Sequence, residues 1–116
     1  MRCAFELAKA RRQHVTSATK PNGITYSMPF WDEVFSEIGK EYEDVGKTSN
    51  HIDALAAFLV MKPDNFDVIV ASNLFGDILT DLGAIMGSIQ IAPAANINTK
   101  ACFHLYLSLF MVLPLI

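Results

Sequence analysis

Phe66-Asp-Val-Ile-Val-Ala71, followed across Ser72 by Asn73-Leu-Phe-Gly-Asp-Ile-Leu-Thr-Asp81, is the stretch that decides the fold. The first run is apolar and β-branched without alternation, the pattern of a short strand buried on both faces of a parallel sheet. Asn73 is a good helix N-cap, and the residues after it repeat with helical period. At about 100° per residue, Phe75, Ile78, Leu79, Leu82, Ile85 and Met86 fall on one apolar arc expected to be core. Gly76, Thr80, Gly83 and Gly87 form a second arc of small residues, open to close approach by another backbone. Asp77 and Asp81 lie on a third, an i,i+4 pair with Cβ atoms about 5–6 Å apart.

Two carboxylates so placed repel, and no basic residue follows within reach on the same helix. A strand leading into a helix sets them just beyond the carboxyl end of the strand, where open α/β sheets place ligands. A hard divalent cation such as Mg²⁺ or Mn²⁺ would resolve the repulsion, because it takes carboxylate oxygens and keeps positions for water or substrate. A solvated acidic face near a helix N-terminus, tolerated by the helix dipole, accounts for the spacing as well.

The whole stretch from Phe66 to Ala84, with Gly87-Ser-Ile and Ala92-Pro-Ala-Ala-Asn-Ile-Asn98, resembles the metal-binding signature of the isocitrate/isopropylmalate dehydrogenase family. Its wording is most similar to the tartrate and D-malate dehydrogenase (decarboxylating) branch. The resemblance covers residues 2–98, roughly the middle third of a family member, and leaves 99–116 as a non-matching apolar tail. It implies an α/β fold, a partial isopropylmalate-dehydrogenase-like arrangement of parallel strands with packed helices. It also implies an enzyme that uses NAD and Mg²⁺ or Mn²⁺ to oxidise and decarboxylate a 2-hydroxy acid, D-malate/tartrate-like or isopropylmalate-like. Such enzymes are homodimers with shared active sites.

Composition is compatible with this. The chain has 116 residues, of which 52% are hydrophobic, and a formal net charge of −3. That is enough apolar material for one folded unit, and the negative balance gives no electrostatic case for nucleic acid. Cys3 and Cys102 form no motif and suit a reducing compartment, and nothing near the start reads as a secretory signal; the expected location is the cytoplasm.

Taken in order, Arg2 to Arg12 reads as a helix with Ala4, Phe5, Leu7 and Ala8 inward, beginning abruptly as though its start lay upstream. His14 to Thr19 reads as a strand, with His14 as a plain surface residue. Lys20-Pro-Asn-Gly23 is a turn. Bare, Lys20 is an ordinary surface lysine, or a base if burial or nearby charge lowers its pKa. The family resemblance makes Lys20 the proton-transfer lysine and Asn22 a residue near nicotinamide and substrate, although Pro21 stands where family members more often carry a small residue. Met28 to Ile38 reads as a helix, with Phe30, Val34, Phe35 and Ile38 on its inner side, Trp31 as packing and Gly39 ending it. The polar segment from Gly46 to Asn50 is where the family has a short strand. His51 to Met61 is the next helix, with Ile52, Leu55, Ala56, Leu59 and Val60 as its apolar stripe. Asp53 in its first turn is a dipole-favoured acid on its own. By resemblance it is the third metal carboxylate, reaching the site, as the lysine does, from the neighbouring subunit.

After Asn98 the expected adenosine-binding loop is replaced by Lys100 to Ile116, about sixteen nearly apolar residues, fewer than the roughly 20 that span a bilayer. We expect a tail from a truncated or misassembled reading frame, ahead of a packed core segment or a membrane element. The arginines that grip substrate and the proton-donating tyrosine of the family also lie outside the matching segment. The competing expectation for function is therefore a truncated, non-catalytic fragment that keeps the dimerisation and metal-binding segment.

Overall fold

The computed structural model describes residues 1–86, 94–96 and 110–112, with side chains from 1 to 83. The elements are α1 (Arg2–Lys9), β1 (His14–Thr19), α2 (Ser27–Lys40), β2 (Gly46–His51), α3 (Ile52–Met61), a 3-10 turn at Pro63–Asn65, β3 (Val68–Ala71), α4 (Asn73–Met86), β4 (Ala94–Asn96) and β5 (Phe110–Val112). They form a five-stranded sheet in the order β2-β1-β3-β5-β4. The strands β2, β1 and β3 are parallel, with Thr16 opposite both Thr48 and Ile69. This is the α/β arrangement of parallel strands and packed helices expected from the sequence. Across β3, β5 runs antiparallel, Val70 opposite Met111, so part of the apolar tail lies in the sheet. The rest of the tail, with Cys102, lies outside the described residues, as do Gly87 and the stretch around Gln90 and Ala92.

β3 is fully buried, as an unalternating apolar run should be. β1 is buried on both faces after His14, whereas β2, at the sheet edge, is exposed and polar over Gly46–Ser49, a composition that discourages further strand pairing. On one face Ala4, Phe5 and Ala8 of α1 are wholly buried, and Phe5 stacks on Phe35 and Tyr42 at centroid distances of 5.5 and 5.0 Å. The Trp31 indole N–H donates to Ser17 Oγ at 2.9 Å, which places α2 over the same face.

That hydrogen bond corrects the expected register of α2. The buried positions are Met28, Trp31, Phe35 and Gly39, while Phe30 is 65% exposed and Val34 and Ile38 are only partly covered. A buried indole needs both its large apolar area and an acceptor, and Ser17 supplies the acceptor, so the helix turns towards Trp31. Gly39 lies inside the helix rather than after it. A Cβ there would stand 2.8 Å from Lys47 Cδ, so glycine lets that lysine stem cross from β2.

Two further expectations change. In α4, Phe75 and Leu79 are core and Leu82 partly so, but Ile78 is 42% exposed because it sits at the margin of the arc, about 100° from Leu79. In α3, Leu55 and Leu59 are buried, whereas Val60 is exposed together with Phe58 and Met61. The inner stripe is narrower than the apolar composition of the helix, which leaves an apolar outer side. Ile85 and Met86 have no described side chains. Asn73 is itself the first helical residue, and the opening bond runs from Gly76 N–H to Ser72 O at 2.7 Å.

At the amino ends of the strands lies a feature that apolar patterning hides. Asp67 is 2% exposed; its Oδ1 accepts from Arg11 Nε at 2.9 Å and its Oδ2 from Arg12 N–H at 3.0 Å. Arg12 also donates to the carbonyls of Asp64 and Phe66. The α1–β1 connection, with Gln13 at φ 60° and accepting from Gly46 N–H, is thereby tied to β3 and β2 at once.

Candidate metal and substrate site

The opposite ends of the strands carry the candidate residues. β1 ends at Thr19, whose register partner in β2 is His51, so the residues just beyond, Lys20 and Asp53, emerge side by side. Lys20 Nζ donates to Asp53 Oδ1 at 2.9 Å. The loop makes this reach possible. The Gly23 and Ile24 N–H groups both donate to Lys20 O, at 3.1 and 2.9 Å, folding the turn back on itself. A Cβ on Gly23 would meet Lys20 Cγ at 3.1 Å, so glycine leaves room for the lysine stem to lie along the turn. Lys20 is 27% exposed at its side chain and Asp53 67%. The hydrogen bond from Lys20, helped by backbone donors at the start of α3, holds the Asp53 carboxyl below the usual aspartate range.

Asn22 is exposed at the tip of the same turn, and Asp77 and Asp81 are exposed along α4, with no hydrogen bond or ion pair to another described residue. Among the described residues no three His, Cys, Asp or Glu side chains converge on one point. A single chain therefore brings Lys20 to Asp53 and presents Asp77 with Asp81, but does not unite the two pairs. The donor set, all carboxylate oxygen, fits a hard divalent cation. Of the small-residue arc, Gly76 and Gly83 are buried within the chain and Thr80 is half-buried, while Gly87 lies outside the described residues. Thr80 uses its hydroxyl to bond Gly76 O at 2.7 Å.

The sequence offers the five candidate residues separately and does not show that Lys20 and Asp53 pair. The signal was available in the parallel register, since residues one and two positions past neighbouring strand ends face one another. It also missed the Arg11–Asp67 ion pair, for which the only sequence cue is a single aspartate in an otherwise apolar run.

Comparison with known proteins identifies the family of the fold. The family model described as isocitrate/isopropylmalate dehydrogenase matches residues 1–108, ten residues past Asn98. A probable tartrate dehydrogenase/decarboxylase of Bacillus subtilis is 68% identical over 99 residues, covering 84% of this chain and 28% of the relative. The D-malate dehydrogenase [decarboxylating] of Escherichia coli is 53% identical over 105 residues, 89% of this chain and 29% of that protein. The crystal structure of isocitrate dehydrogenase from Methylococcus capsulatus superposes with a TM-score of 0.76 at 42% identity, over 86% of this chain and 30% of the other. The chain spans less than a third of the length of these relatives. A match over nearly the whole chain, joined to a superposable sheet, shows that it belongs to the isocitrate/isopropylmalate dehydrogenase family.

Proposed function

We propose that this chain carries part of an NAD-linked oxidoreductase that oxidises and decarboxylates a 2-hydroxy acid, D-malate/tartrate-like or isopropylmalate-like, with Mg²⁺ or Mn²⁺. The relatives named for tartrate and D-malate chemistry support that substrate class. The observation that carries the reading is the placement of Lys20, Asp53, Asp77 and Asp81 beyond the carboxyl ends of parallel strands, where such folds hold ligands.

The chemistry a divalent ion would supply there is positive charge against the negative charge that develops on the substrate oxygen. Asp77 and Asp81 of one chain and Asp53 of a second would hold it. Lys20 Nζ, which donates to Asp53 Oδ1 within the chain, would take the hydroxyl proton. Asn22, on the same turn, would border the nicotinamide and the substrate. The homodimer this requires is supported by the apolar outer sides of the paired helices α3 and α4, where Phe58, Val60, Met61, Leu74 and Ile78 are exposed. The second reading is a non-catalytic segment that retains metal binding and dimerisation. It is favoured by the chain's span, under a third of its relatives.

Calorimetric titration with Mn²⁺ tests the shared site. Asp53→Asn and Asp81→Asn should each weaken binding by about tenfold or more. An equimolar, co-refolded mixture of the two variants should regain a wild-type site in its mixed dimers, one chain giving Asp77 and Asp81 and the other Asp53. Wild-type affinity in Asp81→Asn, or no recovery in the mixture, overturns the arrangement. NADH absorbance measured with Mn²⁺, NAD⁺ and each acid separates the two readings. Metal affinity without turnover leaves the non-catalytic segment standing, whereas turnover lost in Lys20→Met establishes the enzyme.

A further inference from the structure

The turn that carries Lys20 has little to hold it from within. No residue from Lys20 to Ser27 is buried, and Tyr26 is 91% exposed. The Gly23 and Ile24 N–H groups fold the chain back onto Lys20 O, but that closes the turn without fixing where it points. Its two ends do the fixing. One leaves β1 at Thr19, which the register with His51 holds in the sheet. The other enters α2, whose first buried residue is Met28.

Two kinds of contact decide where that second end lies. Met28 and Trp31 bury apolar area, but apolar contact is non-directional and tolerates sliding. The packing is also incomplete, because an apolar cavity of about 480 Å³ flanks this half of α2, walled in part by Ile24, Met28, Trp31 and Val34. The directional contact is the indole N–H of Trp31, which donates to Ser17 Oγ at 2.9 Å. Trp31 is 8% exposed and Ser17 0%, so a shift of α2 would strand a buried donor and a buried acceptor together. Ser17 stands three residues before Lys20 on β1, between Ser49 and Val70 of the neighbouring strands. The bond therefore ties the helix after the turn to the middle of the sheet before it, and closes the span 17–31 around Lys20 and Asn22.

We propose that Trp31, acting through Ser17, is a positioning residue for Lys20 and Asn22. The bond sets the helix that receives the turn, the turn sets the direction of the Lys20 stem, and that direction brings Nζ to 2.9 Å from Asp53 Oδ1. Without the bond, the amine spends less of its time where a proton is to be taken. The bearing on the reaction rests on the proposed proton-transfer role of Lys20, whereas the positioning itself involves neither metal nor NAD.

Zero-length carbodiimide cross-linking of the full 116-residue chain, without metal or NAD, reads the positioning directly. The reagent joins an amine to a carboxylate only where the two touch, so the yield of the Lys20–Asp53 amide reports how often they meet. The Lys9–Glu6 pair, 3.9 Å apart within α1, is the internal reference. Ser17→Ala and Trp31→Phe should each lower the ratio of the two yields by about fivefold, the worth of one net hydrogen bond. The double variant should lower it no further, because both changes remove the same bond. Asp67→Ala, which loosens the opposite ends of the strands, should leave the ratio unchanged. An unchanged ratio in Ser17→Ala, or an additive fall in the double variant, overturns the proposal. A fall of equal size in Asp67→Ala overturns it too, since general loss of stability would then explain the effect. Ser17→Ala, the milder change, is sufficient for the test should Trp31→Phe fail to fold. The role of Lys20 in proton transfer is decided separately, by turnover in Lys20→Met, so the two can fail independently.

Discussion

Replacing Asp67 should cost the fold more than replacing any of the candidate site residues. The carboxylate is almost wholly buried and satisfies three donors: Arg11 Nε–H at 2.9 Å, Arg12 N–H at 3.0 Å and, more weakly, His14 N–H at 3.4 Å. Asp67→Ala leaves all three without their acceptor. A hydrogen bond to a charged group is worth about 1.5–3 kcal/mol, so the two short bonds, from Arg11 Nε–H and Arg12 N–H, together amount to roughly 3–6 kcal/mol. Stranding a fully buried charge costs about 3–5 kcal/mol. Arg11 is 26% exposed at its side chain and can turn part of its guanidinium to water, which puts the expected loss near the lower end, about 3 kcal/mol. Against total stabilities of about 5–15 kcal/mol for ordinary domains, that is a large fraction.

The chain carries its own probe, because Trp31 is its single tryptophan and is buried against Ser17. Urea unfolding followed by indole fluorescence should show the midpoint of Asp67→Ala shifted down at an unchanged slope. The double variant Asp67→Leu, Arg11→Met should recover part of the loss, since an apolar pair avoids desolvating two ions, while the Arg12 and His14 N–H groups stay without their acceptor. An Asp67→Ala chain within about 1 kcal/mol of wild type would refute the bookkeeping and show that water already reaches the pair.

The remaining predictions concern the connection after α1 and the pair at the strand ends. Gln13 holds φ 60° and its hydrogen bonds among the described residues are both backbone ones, its N–H to Ala8 O and its carbonyl from Gly46 N–H, which glycine keeps, so Gln13→Gly should raise stability by about 0.5–1 kcal/mol in the same unfolding assay. Lys20 depresses the Asp53 pKa, so the unfolded chain binds more protons in the acid range and the pair's contribution grows with pH there. The difference in melting temperature between wild type and Lys20→Met should be constant above about pH 5 and vanish as pH falls through the depressed Asp53 pKa. A difference that persists after Asp53 is protonated would mean that the lysine stem, not its charge, stabilises the turn.

Most of the fold was legible because burial on both faces leaves a mark that local reading can use. Val68 to Ala71 is an unalternating run, and it became the fully buried central strand. His14 to Thr19 was found to the residue, as was the lysine-bearing turn after it. What failed was the rotation of helices about their axes. Apolar residues run most of the way round α3, so periodicity could not say that Leu55 and Leu59 face inward while Val60 and Phe58 face out. In α2 the deciding fact was a partner in another element, the Ser17 hydroxyl that accepts from Trp31. No window of helix sequence contains that information. Asp67 belongs to the same class, since its worth depends on Arg11, 56 positions away.

The candidate site was legible in its members and not in its connections, and the reason is geometric. Asp77 and Asp81 announce themselves by spacing within one helix, and Lys20 and Asn22 by a turn of four residues. Asp53 has no such local companion; its meaning comes from the parallel register that sets β2 beside β1. Once that register is in place, Lys20 and Asp53 must meet, and they neutralise one another within the chain. A carboxylate already satisfied by an ammonium attracts a divalent cation less than a bare one does. The two acids of α4, which repel each other and have no cationic partner among the described residues, carry the stronger demand for one. In the proposed three-carboxylate site, Asp53 would bring a carboxylate whose Oδ1 already accepts from Lys20 and whose Oδ2 has no side-chain partner among the described residues.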